Sequence, residues 1–173
     1  MDIREALLEL VNLESVRYSY MAIEKIIIVM MRDYLKAQNK RLLAENEVMH
    51  RISDMILPDG IDNEDGCIAA EIKLYRHKQM SLRLIYDTIG RFSINRGEIN
   101  KLLLIVVNEL PEGIRNRIEE KKKQLNFELT IWDIDDLIRI FSNNENLFVE
   151  TYNNLNTVLL RDTINDGILR NNS

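Results

Sequence analysis

The amino-acid sequence predicts an α/β protein built on a mixed β-sheet of about four to five strands flanked by helices. Three observations carry that expectation. Helix-periodic and strand-like segments alternate from residue 49 to residue 141. A reversal marked by Pro58, Gly60 and Gly66 joins two short strand-like stretches within residues 51–76. Residues 101–107, KLLLIVV, form a nearly continuous branched aliphatic run of the kind buried on both faces of a sheet.

Taken in order, residues 2–12 place Ala6, Leu7, Leu10 and Val11 in a helical rhythm, which predicts a short first helix. Residues 15–36 set Tyr20, Ile23, Ile27, Met30, Met31 and Leu35 at three- and four-residue spacing, with Glu24, Lys25, Arg32 and Asp33 between them. A long amphipathic helix lying against the sheet follows. Residues 37–48 are polar and read as the helix end, a connection and a turn. Residues 49–57 read as the first strand, stopped by Pro58, which lacks the amide hydrogen that a sheet ladder needs. Asp59, Gly60, Asn63, Asp65 and Gly66 then supply dense turn chemistry.

Residues 67–74 read as the second strand. A side-chain period of two puts Ile68, Ala70 and Ile72 on one face and Cys67, Ala69, Glu71 and Lys73 on the other. Residues 77–89 carry Met80, Leu84 and Ile85 at helical spacing, and Gly90 is expected to end that helix. After the central strand at 101–107, Pro111 opens a polar helix over 112–125 and residues 127–132 return as a strand. Asp133 can cap the next helix, whose apolar stripe is Ile134, Leu137, Ile138 and Phe141. Helical spacing resumes at Phe148, Tyr152, Leu155, Val158 and Leu159, so residues 143–173 read as a final helix that packs on the domain or leads into a larger parent protein.

With 173 residues, 46% of them hydrophobic, the chain suits one domain with its own core, 1–173. The single cysteine, Cys67, cannot form an internal disulfide, and MDIREALLEL is not a secretory signal, so a cytoplasmic location is expected. The apolar run at 26–31 is too short to span a membrane, and no membrane partner is expected. A net charge of −5 argues against a general polyanion binder, because affinity for nucleic acid comes largely from Lys and Arg displacing counterions. Any such face must be local. Lys73, Arg76, His77, Lys78 and Arg83 form one candidate set. Arg115, Arg117 and Lys121 to Lys123 form another, and the plainer reading of that second set is a solvated helix face.

Chemistry concentrates in the hairpin. If Asp54 and Glu71 pair across it, the reversal centres on Asp62 and Asn63, Leu57 lies opposite Ile68, and residues 58–66 form the loop. Glu71 and Lys73, two apart on a strand, share a face. Asp54, Glu71 and the backbone carbonyl of Ile72 then make an oxygen donor set for Mg²⁺, with Mn²⁺ as the alternative ion. The Lys73 ammonium could orient and help deprotonate a water or stabilise charge at phosphorus. The competing reading is a surface hairpin carrying an ordinary exposed Glu–Lys pair. An acid-x-lysine pattern has little force alone, since it recurs at Glu119–Lys121 and Glu120–Lys122 in a helix-like stretch.

In this context Asp54, Pro58-Asp59-Gly60 and Glu71-Ile72-Lys73 resemble the PD-(D/E)xK superfamily of restriction-endonuclease-like proteins. More narrowly, SDMILPDGID, IAAEIK and LTIWDIDDL resemble the N-terminal nuclease modules of bacterial antiviral STAND-type NTPases, over residues 15–142. The resemblance implies a restriction-endonuclease-like sheet and a metal-dependent endodeoxyribonuclease acting on DNA as an effector module. Asp54 and Glu71 would be metal ligands and Lys73 the catalytic lysine, with Glu24 an additional acid on the preceding helix. The first acid stays open among Asp54, Asp59 and Asp62, because a shorter hairpin turning at Asp65-Gly66 would favour one of the latter two.

No zinc site is expected from His50 and His77. Cys67 reads as a packing residue, and neither Walker nor dinucleotide fingerprints occur. A second hypothesis keeps the fold but silences the site, leaving a homo-oligomerisation or partner-docking module that uses the terminal helices at 2–12 and 146–160.

Overall fold

The computed structural model describes residues 1–44, 53–76 and 82–155. The expected strand residues 49–52, the helix start at 77–81 with His77, Lys78 and Met80, and Val158 and Leu159 of the tail lie outside the described residues, as does His50.

A five-stranded sheet runs in the order β1-β2-β3-β4-β5. β1 (Leu43–Ala44) and β2 (Met55–Leu57) pair antiparallel, β2 and β3 (Ile68–Leu74) pair antiparallel, and β3, β4 (Lys101–Val107) and β5 (Glu128–Trp132) are parallel. Helices α1 (Ile3–Val11), α2 (Val16–Lys36), α3 (Leu82–Asn95), α4 (Glu112–Lys122) and α5 (Ile134–Phe141) complete the order, followed by a 3₁₀ turn at Ser142–Asn144 and helix over 145–155. The expected mixed sheet between helices is therefore present. Among the described residues no helix is long and apolar enough to cross a membrane.

The layering follows from β4, which is buried along Leu102 to Val107. Leu103, Ile105 and Val107 join Ala70, Ile72, Met55 and Leu57 in one core closed by α1, α2 and α5, while Leu102, Leu104 and Val106 join Ala69 and Ile56 in a second core closed by α3 and α4. Parallel strands need crossover connections, and α3 and α4 supply them on a single face. Phe148 and Tyr152 of the final helical segment stack beside Phe141 against the first core, so this part of the tail does pack on the domain.

Local signals set the helix ends. Ser15 accepts the Tyr18 amide at the start of α2, and Asp2 accepts the Glu5 amide at the start of α1. Asp133 caps α5 as expected, in a reciprocal box with Asp136, and also accepts a 2.8 Å hydrogen bond from Arg115 Nη2.

Four expectations are corrected. Residues 43–44 form a short edge strand inside the stretch read as connection and turn. The strand after it is limited to Met55–Leu57, with Ser53 and Asp54 in a bend rather than in the ladder. Gly90 does not end α3, which continues to Asn95: a Cβ there would meet nothing within 4 Å, and the helix is held by Ile85, Ile89 and Phe92 in the second core. Tertiary packing outweighs the roughly 1 kcal/mol propensity cost of a mid-helix glycine. Finally α4 ends at Lys122, short of the expected residue 125.

The hairpin loop is rigidly specified. Gly60 has φ +79°, and a Cβ on it would lie 2.0 Å from the Glu64 carbonyl oxygen, inside a turn where the Ile61 and Glu64 amides and carbonyls bond reciprocally. Ile105, fully buried at the centre of the first core, should lose about 2–5 kcal/mol of unfolding free energy on change to Ala. Urea denaturation checks it, and a loss under 1 kcal/mol would contradict the two-sided burial of β4.

Candidate active site

The β2–β3 register pairs Leu57 with Ile68, Ile56 with Ala69 and Met55 with Ala70. One step further along that register, Asp54 falls opposite Glu71, the juxtaposition expected from the sequence. β2 has ended there, and Asp54 completes the ladder with its side chain: Oδ2 accepts the Ile72 amide at 2.7 Å. Oδ1 accepts the Tyr20 hydroxyl of α2 at 2.8 Å, while Ser53 Oγ bonds the Met55 carbonyl at 2.6 Å and fixes the bend. The Asp54 carboxylate is buried, with 3% of the residue exposed. A buried charge is tolerated only when hydrogen-bonded, and both of its oxygens are.

Glu71 and Lys73 share one side of β3, with Glu71 Oε1 3.5 Å from Lys73 Nζ and both side chains mostly covered. Burial holds the Glu71 carboxyl above its ordinary range. The Asp54 charge adds to this, and Lys73 and Arg91 oppose it. Asp54 and Glu71 are thus electrostatic neighbours, one at the sheet edge and one on its α3 face. Ile72 between them sends its side chain into the first core and its amide to Asp54; the contact seen is through N–H, not through the carbonyl named above as a metal donor.

Glu24 lies one helical turn beyond Tyr20 on α2. The Tyr20 hydroxyl holds its proton well above the ordinary range, first because it is buried, then because of Asp54 and Glu24. It therefore remains a neutral donor. Glu24, Tyr20, Asp54 and Glu71 form an unbroken electrostatic chain from α2 to β3. Tyr20 reads from sequence as a member of the apolar stripe of α2. The overlooked signal is its i, i+4 spacing from Glu24, which puts both on one helix face.

The alternative first acids stand elsewhere. Asp59 is clamped by Arg41: Oδ2 accepts the Arg41 backbone amide and Nε, and Oδ1 accepts Nη2, each at 3.0 Å. Those bonds hold its carboxyl down at about 2. Asp62, in a left-handed conformation, accepts Tyr34 Oη at 2.5 Å and Gln38 Nε2 at 3.0 Å, tying the loop to the end of α2. The hairpin turns at Ile61–Glu64, not at Asp65-Gly66.

Among the described residues no group of three or more His, Cys, Asp or Glu side chains is arranged to hold a metal ion. The pair Asp54 and Glu71 still offers hard oxygen donors, and Mg²⁺ commonly takes one or two carboxylates and keeps its waters. The two side chains are donors of that chemical kind, with both Asp54 oxygens already accepting protein hydrogen bonds. The Cys67 thiol is pushed up by burial and by the Asp59 charge, which disfavours the thiolate and matches a packing role.

The second basic set lies largely in helix-surface contacts: Arg115 with Asp133, Lys122 with Glu119, Lys123 with Glu120, and Lys121 Nζ 5.5 Å from the Tyr86 ring centroid. The helix beyond β3 contributes what the sequence did not single out. Arg91, Thr88, Phe92 and Asn95 of α3 face Glu71 and Ser53 across a cleft of about 370 Å³. Fold and site together define an α/β protein with a carboxylate pair and a lysine at the edge of a mixed sheet. Compared with protein-family models, curated proteins and solved structures, the chain matches none.

Two measurements check this geometry. Tyr20→Phe removes the Tyr20 donor from the buried Asp54 carboxylate and should cost about 1–3 kcal/mol in chemical denaturation. Glu71 has a folded-state pKa above its unfolded value, so its contribution to stability is fully present below about pH 4.5 and is lost as pH rises through the folded value. Glu71→Gln should therefore raise the melting temperature at pH 7. The gain should shrink as the pH approaches 4. A lower melting temperature for the variant across that range would contradict it.

Proposed function

We propose that this chain is a metal-dependent nuclease that hydrolyses phosphodiester bonds of DNA. The observation that supports it most is the hairpin register, which brings a buried Asp54 beside Glu71 with Lys73 two residues further along the same strand face. The resemblance to PD-(D/E)xK nucleases rests on the same residues. The narrower role, effector module of a bacterial antiviral system, rests on the likeness of SDMILPDGID, IAAEIK and LTIWDIDDL alone.

Asp54 and Glu71 would hold Mg²⁺, whose chemistry is to polarise a phosphoryl oxygen and lower the pKa of a bound water. Everything else falls to the chain. The hydrogen bonds from Ile72 and Tyr20 fix the position of the Asp54 carboxylate. Glu71, reluctant to ionise in its covered position, gains from a cation beside it. The Lys73 ammonium, held by Glu71, stands where it can neutralise charge developing on phosphate oxygens or guide a proton from an attacking water.

A second reading has its own support. Both Asp54 oxygens are already occupied by protein donors, as in a carboxylate kept to terminate a strand, and a nuclease-like fold with a silent site could then serve docking. One assay separates the two. The wild type should nick plasmid DNA with Mg²⁺ and not with EDTA, over a protein concentration series that allows for activation by assembly. Glu71→Ala and Lys73→Ala should each lower cleavage at least 10²-fold while circular dichroism stays unchanged. Undiminished cutting by either variant refutes the assignment. No cutting at any concentration, with no Mg²⁺ uptake in calorimetry, favours the silent fold.

A further inference from the structure

The cleft between β3 and α3 carries a cation that the nuclease chemistry above does not use. Arg91 stands on α3, exposed, near enough to Glu71 to favour its ionised form. Its Nη2 reaches Thr88 Oγ1 at 3.4 Å, and Thr88, buried, anchors itself by donating to the Leu84 carbonyl at 2.9 Å. Among the described residues no other hydrogen bond engages the Arg91 guanidinium, so most of its donor fork remains for a ligand.

The base of the side chain is held firmly. Phe92, next to it, is buried and packs edge-on to Phe127 with ring centroids 4.9 Å apart, which locks this turn of α3 onto the sheet. Asn95, one turn further along, donates to the Arg91 carbonyl at 3.0 Å and also lines the cleft. On the opposite wall stand Glu71 and Ser53.

A guanidinium lining a cleft with a carboxylate, with most of its donors open, offers the planar fork that matches a phosphate. With the net charge at −5, attraction of a polyanion must come from such local cations. We infer that Arg91 is the substrate-phosphate anchor of this cleft, binding the non-bridging oxygens of a nucleic-acid backbone phosphate while Glu71 and Lys73 face the bond to be cut. The inference rests on the nuclease reading and adds a specificity to it. Among the described residues the one aromatic side chain of the cleft lining, Phe92, is buried, so none of them offers a ring there for base stacking. Recognition at Arg91 is through the backbone and indifferent to sequence.

The test uses a fluorescein-labelled single-stranded DNA oligonucleotide and the full chain. In a Lys73→Ala background with Ca²⁺ in place of Mg²⁺, fluorescence anisotropy gives Kd at several salt concentrations for Arg91, Arg91→Ala and Arg91→Lys. Arg91→Ala should weaken binding about ten- to hundredfold, Arg91→Lys should recover part of it, and the slope of log K against log salt should fall by about 0.7. The loss should be equal for two oligonucleotides of unrelated sequence. In the otherwise wild-type chain, Arg91→Ala should raise KM for cleavage far more than it lowers kcat.

Unchanged Kd and slope in a folded Arg91→Ala protein overturn the anchor. If the wild type cuts DNA while that result is found, the nuclease reading survives and the anchor does not. Arg91-dependent binding without any cutting leaves the anchor standing and removes the nuclease. Neither binding nor cutting removes both.

Discussion

The termination of β2 is the constraint on which the site depends. β3 presents its Ile72 amide toward a neighbour that ends at Met55, and a buried amide without an acceptor costs about 1–3 kcal/mol. The Asp54 carboxylate supplies the acceptor. A side chain taking over the place of a backbone carbonyl must lie in the plane of the sheet, at its edge, which determines where the charge sits. Tyr20 then has to reach it from α2, because the second oxygen is also buried. One carboxylate thus ties α2, seated by its own apolar stripe, to the end of β2.

Around that point the structure separates packing from chemistry by face. The face closed by α1, α2 and α5 is aliphatic along β3 and β4, with Ala70, Ile72, Leu103 and Ile105 in continuous contact. On the other face Ala69, Leu102 and Leu104 pack under α3 and α4, but β3 turns polar at Glu71 and Lys73, and α3 faces Glu71 with Thr88, Arg91 and Asn95. The crossover helix that parallel strands require thus forms one wall of the cleft.

The hairpin loop plays a different part from the one its acids suggest. Asp59 and Asp62 look equivalent to Asp54 in a list of residues, yet each is consumed by contacts to the segment around the end of α2: Arg41 for Asp59, Tyr34 and Gln38 for Asp62. Together with the tight Gly60 turn, which a side chain could not enter, they brace the reversal between β2 and β3. The loop acids secure the geometry, and Asp54 and Glu71 occupy the place it creates.

Much of the layered fold was legible in the sequence, because periodicity reports directly on burial: the unbroken KLLLIVV predicts a strand covered on both sides, and α2 announces its buried stripe at helical spacing. The sequence allowed Asp54 to pair with Glu71 but also a shorter hairpin turning at Asp65-Gly66, and the observed register, with Leu57 opposite Ile68, decides between them. What the sequence could not settle was decided by contacts between distant elements. α3 runs through Gly90 because Phe92 beyond it finds Phe127. The strand before Pro58 is cut short because its aspartate bonds across the sheet edge. Tyr20 serves a carboxylate rather than the core because Asp54 happens to reach it. Local pattern determines which face of each element is apolar; which polar groups meet at the edges depends on where the chain has brought them, and only the packed tertiary structure contains that information.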